Sequence, residues 1–325
     1  MDISPEAKTV LYILDNLAWK KKPSTLETIH SHENWKGKDG QSLKKILDQL
    51  VECDLLTRTE TTYALTESGV TQMKHCLSED FSDILIAVEQ SVTSQKFCQR
   101  VYGRNLCQFN MTNETQLDKL LKVMNLSEDD HILDMGCGVG LISEYISDVT
   151  GARVTGIDFA TSAIERALER TRGKKDRLSY MVMDMDELCF PEKSFSGVIA
   201  IDTLYFVKDL KSTIQSAKES LRENGQMGIF YSTKILDGES IEKLKPNQTP
   251  LAKVLKECKL NFQTWDFTEE EVNFWEKSLH VAEELKDEYD AEGTLQIYES
   301  TVSEAKSMLE IVRKDRSSRY LYHIQ

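Results

Sequence analysis

At 325 residues the chain is long for one compact domain, and its formal net charge of −14 repels polyanions at long range. Its shares of apolar (40%) and charged (29%) residues are those of a globular protein in water, and no apolar run approaches the ~20 residues that span a bilayer. MDISPEAK has neither the basic nor the apolar region of a secretory leader, and the seven cysteines include no CxxC pair. A cytoplasmic protein is expected, with no membrane segment, disulfide framework, zinc site or nucleic-acid partner.

Residues 1–78 read as three helices, a hairpin and a further helix. Val10, Leu11, Leu14 and Leu17 form a helical stripe, and Ser24 is placed to cap the next segment. Leu43, Ile46, Leu47, Leu50 and Val51 share a face of the third helix. Two short strands turn near Glu60 and Thr61, and Thr66 is placed to cap the fourth helix, ESGVTQMKHCL. The order, with DQLVECDLL leading to YALTESG, resembles a winged helix. Lys44 and Lys45 are offset by Asp48 and Glu52, and Glu60 stands at the wing tip where a DNA reader carries a base. The resemblance therefore implies a dimerisation or lid domain, giving a homodimer.

Residues 79–126 read as a helical linker and cover. From 131 strands alternate with helices: 131–135, 153–158, 178–182, 197–202 and 226–233, then late strands at 262–267 and 319–324. Alternation of this kind builds a parallel sheet with helices on both faces. An acidic helical insert, about 268–316, is long enough to act as a lid.

The chemistry concentrates in ILDMGCGVG, where a buried strand delivers Asp134 and glycines 136, 138 and 140 turn into a helix. Glycine there allows positive φ and close approach of a ligand to the backbone. A dinucleotide motif would need glycine at 141, where Leu141 stands; a generic strand–turn–helix corner stays open.

ILDMGCGVG, VTGIDFATSAIERA and VMDMDELCFPEKSFSGVIAIDTLYFV, in this order across residues 125–235, resemble the class I S-adenosylmethionine-dependent methyltransferases, particularly the small-molecule group. The resemblance implies an α/β fold: a Rossmann-like seven-stranded sheet in 127–325, preceded by the winged helix. S-adenosylmethionine is the implied cofactor. Gly136, Cys137 and Gly138 would hold its methionine end, with Asp134 reaching the ammonium. Asp158 would accept the ribose hydroxyls, unless it merely caps the following helix. Phe159 would pack on the adenine, and Asp184 and Met185 would bind its amino edge. Asp186 and Glu187 are expected in solvent. Ile201 to Phe206 would line the passage to the acceptor, with Asp202 and Tyr205 as candidate catalytic residues. Phe206 stands where many relatives carry a histidine base. Tyr102 resembles an aromatic that closes over the cofactor, with burial in a helix face as the alternative. No metal site is proposed, since the histidines do not cluster with carboxylates. The implied activity is methyl transfer to a small molecule. The alternatives are a macromolecule methyltransferase, or a cofactor-sensing DNA-binding regulator that uses the winged helix.

Overall fold

The computed structural model describes residues 3–236 and 238–325, and the chain divides into two units, the first ending at Phe81 and the second running Ser82–Gln325. In the first unit, Ser4 accepts from the Ala7 amide and Pro5 opens helix α1 (Pro5–Trp19), whose Val10, Leu11, Ile13, Leu14 and Leu17 are buried. Helix α2 (Leu26–His30) is capped by Thr25 rather than Ser24; the Ser24 carbonyl instead accepts from the Tyr63 amide. Asp39 caps α3 (Gly40–Glu52), which buries Leu43, Ile46, Leu47 and Leu50 at helical spacing. Strands β1 (Leu56–Arg58) and β2 (Tyr63–Leu65) pair antiparallel. Thr66 then accepts from the Gly69 amide and starts α4 (Glu67–Gln90), an unbroken helix that carries the chain across the division between the units.

The second unit continues with α5 (Val92–Tyr102) and α6 (Glu114–Met124), then β3 (His131–Met135), α7 (Leu141–Thr150), β4 (Arg153–Asp158), α8 (Thr161–Arg170), β5 (Leu178–Val182) and β6 (Phe195–Ile201). After α9 (Leu210–Ser220) come β7 (Leu221–Lys234), α10 (Pro250–Glu257), β8 (Phe262–Asp266), α11 (Thr268–Glu284), α12 (Lys286–Glu292), α13 (Leu295–Val312) and β9 (Ser317–Ile324). The seven strands lie in the order β5-β4-β3-β6-β7-β9-β8, parallel from β5 to β7, with β9 antiparallel to both β7 and β8. Apolar clusters cover both faces of this sheet, α9 and α10 on one and α6, α7 and α8 on the other. A third cluster joins α5 to α11, α12 and α13.

The strand order reverses between β3 and β6, and in such sheets ligands gather at the carboxyl ends of the strands beside that switch. Strand β7 starts five residues earlier than its apolar pattern suggests, pairing Leu221 with Phe195 before an irregularity shifts the register. On α7 burial does not follow hydropathy alone. Val149 stays 53% exposed while Ser143 and Ser147 are buried, because their hydroxyls donate to Asp134 and to the Ala152 carbonyl. A buried hydroxyl needs that partner.

Candidate functional site: a glycine corner beside a buried ionic network

Strand β3 carries Asp134 into the interior, 3% exposed, where its carboxylate accepts from the Ser143 hydroxyl. Burial pushes its pKa up to about 6 against that hydrogen bond, and the nearby Asp158 charge adds to the rise. Beyond it the chain turns on Gly136 at φ +81°, where a Cβ would lie 2.4 Å from the Thr203 methyl carbon. Gly140 turns at φ +75° against the Tyr180 ring, whose hydroxyl donates to the Gly140 carbonyl at 3.1 Å. Only glycine combines that backbone with such close neighbours.

The corner is tied to the end of β4. The Gly136 and Cys137 amides both donate to the Ile157 carbonyl, at 2.8 and 2.9 Å, and the Gly138 amide donates to Asp158 Oδ2 at 2.8 Å. Asp158 Oδ1 accepts from the Ala160 amide at 2.9 Å. Burial raises the Asp158 pKa while these amides pull the other way. Asp158 is therefore no helix cap: Ala160 occupies the cap position of α8, without a side-chain bond. Asp158 clamps the glycine corner, its carboxylate bonded to the backbone amides of Gly138, Phe159 and Ala160. Leu85, from α4, stands 3.6 Å from where a Gly138 Cβ would be. Phe159 is half-buried beside it in sequence.

At the end of β5, Asp184 accepts from the Asp186 amide at 3.0 Å and opens the short turn Met185–Glu187, with Met185 packed against the sheet's core. Asp186, expected in solvent, is half-buried. Its carboxylate accepts from the Lys208 amide at 2.9 and 3.1 Å, fastening this turn to the segment before α9.

After the buried Ile201, Asp202 sits at φ +57° with its side chain 5% exposed. Arg319 of β9 grips it in a bidentate pair at 2.6 and 2.9 Å, the Met111 amide donates at 3.0 Å and the Tyr205 hydroxyl at 2.9 Å. Arg319 places its remaining donors on Gln116, Thr112 and Ser232. All five N–H bonds of the guanidinium are thus used. Tyr205 also accepts from the Ser232 amide at 2.7 Å, and burial holds its phenol well above the usual range.

Asp202 and Tyr205, the candidate catalytic residues, are thus members of one buried network at the end of β6. The carboxylate is bonded to a guanidinium, and the phenol is already donor and acceptor. Tyr102 belongs to another cluster. It lies 7% exposed in the cluster of α5 and α11, edge-on to Phe97 and Phe274, and its hydroxyl donates to the Asn110 carbonyl at 2.8 Å. Among the described residues no group of three His, Cys, Asp or Glu is arranged to hold a metal. Ser143, Thr203, Leu85 and Arg319 are site residues that the sequence alone does not single out. Only Arg319 leaves a signal there, as a lone charge in the apolar run RYLYHI.

Residues 133–229 match the family described as methyltransferase domain. Maize phosphoethanolamine N-methyltransferase 1 is 28% identical over 152 residues, 46% of this chain and 30% of the maize protein. A sterol 24-C-methyltransferase of Gibberella zeae is 27% identical over 151 residues, covering 45% of this chain and 39% of that protein. The chain thus spans well under half the length of these relatives. Among solved structures, Haemonchus contortus phosphoethanolamine N-methyltransferase 2 in complex with S-adenosyl-L-methionine aligns at TM-score 0.59 and 22% identity, over 75% of this chain and 59% of that one. Geranyl diphosphate C-methyltransferase of Streptomyces coelicolor aligns at 0.52 and 15% identity, over 66% and 77%. Residues 133–229 therefore match the methyltransferase domain in sequence, and the sheet around them has the fold of these enzymes.

Proposed function

We propose that the chain transfers the methyl group of S-adenosylmethionine to a small-molecule acceptor. The observation that carries this reading is the glycine corner held between two buried carboxylates, Asp134 and Asp158, at the strand-order reversal. The corner suits that cofactor. Its backbone turns at Gly136 with positive φ tight against Thr203, and the Asp158 carboxylate stands at the end of β4 where a ribose diol would be met. Asp134 offers an acceptor to the amino end, while Phe159, Asp184 and Met185 stand at the ends of β4 and β5 for the adenine. Cys137 and Ile201 complete the lining. The bound cofactor supplies the activated methyl group, so the protein's work is to bind, align and exclude water.

In this reading 1–78 forms a winged helix that pairs two subunits or lids the site, 79–126 is a cover and 127–325 is the catalytic domain. The mixed charges of α3, with Lys44 and Lys45 beside Asp48 and Glu52, support subunit pairing over a nucleic-acid partner. Seven free thiols fit a cytoplasmic setting. Titration calorimetry with S-adenosylmethionine tests the proposal: wild type binds, and Asp158→Ala weakens binding by ~1.5–3 kcal/mol, the worth of hydrogen bonds to a charged group. A metabolite extract incubated with methyl-labelled cofactor then yields a labelled product. Absence of binding by the wild type would end the proposal.

A further inference from the structure

The last turn of α4 buries a carboxylate. Glu89 is 9% exposed and meets Arg166 of α8 at two points, Nε donating to Oε2 at 3.0 Å and Nη2 to Oε1 at 3.1 Å. Arg170, one turn further along α8, brings Nη1 to 3.9 Å from Glu89 Oε1. Its other nitrogens reach elsewhere. Nε donates to Glu144 of α7 at 2.9 Å, and Nη2 to the Val139 carbonyl in the glycine corner at 2.7 Å. Nη1 is sealed from solvent with no hydrogen bond among the described residues, so Glu89 meets its charge through space.

A carboxylate taken out of water is costly unless paired, and an apolar residue would fill the position without that cost. The pairing has a geometric result. Leu85 lies four residues before Glu89 on the same face of α4, and both its Cδ atoms stand 3.6 Å from where a Gly138 Cβ would be. Three contacts thus close a triangle: Leu85 of α4 on Gly138, Glu89 of α4 on α8, and Arg170 of α8 on Val139. Loosening Glu89 frees the side that carries Leu85, while Arg170 keeps its bonds to Val139 and Glu144.

Resting on the methyltransferase reading, we infer that Glu89 is a positioning residue for the cofactor: its ion pairs with Arg166 and Arg170 hold Leu85 as an apolar wall beside Gly138 and so slow the departure of the demethylated cofactor. Leu85 keeps water from the ligand's methionine end, and Glu89 acts only through Leu85.

The experiment loads the full chain with tritiated S-adenosylhomocysteine and chases it with the unlabelled compound. Glu89→Gln should speed dissociation about fivefold or more. Arg166→Gln alters a side chain that is 33% exposed, so the fold tolerates it, and it should speed dissociation as well. Leu85→Ala should match them. The Glu89→Gln/Leu85→Ala double variant should be no faster than the faster single, because both changes remove one contact. Asp148→Asn removes the ion pairs of Lys174 and Arg177 with α7, in the same group of charges but away from α4, and should leave the rate within about twofold. An unchanged rate in either folded ion-pair variant, effects of Glu89→Gln and Leu85→Ala that multiply, or an equal acceleration by Asp148→Asn overturns the inference while leaving methyl transfer intact. Failure of S-adenosylhomocysteine to bind wild type removes both.

Discussion

Arg319 and Asp202, 117 residues apart in sequence, form the buried bidentate pair on which the carboxyl end of the sheet is organised. Burial alone works against the guanidinium's charge, and Asp202 more than restores it, so the Arg319 pKa is raised. The pair also reaches outward, to Met111 and Thr112 before α6 and to Gln116 within it. Arg319→Met strands a carboxylate in the interior and should cost about 3–5 kcal/mol in urea unfolding. Adding Asp202→Asn to that variant should recover part of the loss. Full additivity of the two changes would show that the pair is not coupled.

Tyr102 gives a sharp contrast between architecture and ligand contact. Tyr102→Phe removes its bond to the Asn110 carbonyl but keeps the edge-on contacts with Phe97 and Phe274. The expected loss is about 0.5–1.5 kcal/mol of stability, with cofactor affinity unchanged. A clear change in the cofactor Kd would put Tyr102 at the ligand instead.

Asp134 predicts a pH dependence. Its folded pKa of about 6 stands above the ordinary aspartate value of 3.8, so the proton is held more tightly in the folded chain. The stability linked to this group is fully present below 3.8 and is lost as pH rises through 6. Asp134→Asn, which keeps an acceptor for Ser143, should therefore gain on wild type between pH 4 and 7, by up to about 3 kcal/mol. Melting curves across that range check it; a constant gap between the two proteins contradicts it.

Glu292 carries the opposite sign. Its carboxylate sits over the start of α5, accepting from the Ser91 hydroxyl and the Val92 and Thr93 amides. Desolvation opposes the charge, but the bonds from Thr93, Ser91 and Val92 outweigh it and hold the pKa at about 2 against the usual 4.5. Its contribution is present above pH 4.5 and fades as pH falls toward 2. The melting-temperature gap between wild type and Glu292→Gln should close over that interval. Solvent exposure and salt should make the gap modest.

The sheet is legible in the sequence because its strands carry a local signal. HILDM, RVTGID and LSYMV are strand-length segments bearing Ile, Leu, Val, Tyr and Met, and β3, β4 and β5 fall on those same residues. The glycine corner is legible for a similar reason, since backbone demands are written in residue type at 136, 138 and 140. The roles of Asp202 and Tyr205 are not, because their partners lie far away in sequence: Arg319 is supplied by β9 and Met111 by the segment before α6. No window around residue 202 contains the charge that neutralises it. Val149 and Ser143 exchange roles on α7 for a related reason, a hydrogen bond to a strand carboxylate that hydropathy does not record.

The position of β9 between β7 and β8 has a consequence for biosynthesis. At ~5–20 residues added per second, Asp202 leaves the ribosome roughly 6–23 s before Arg319 does. During that interval nascent Asp202 has no counter-ion and β8 has no neighbour, so the unfinished sheet presents an open edge. Chaperones that shield such edges are expected to hold the growing chain until β9 docks.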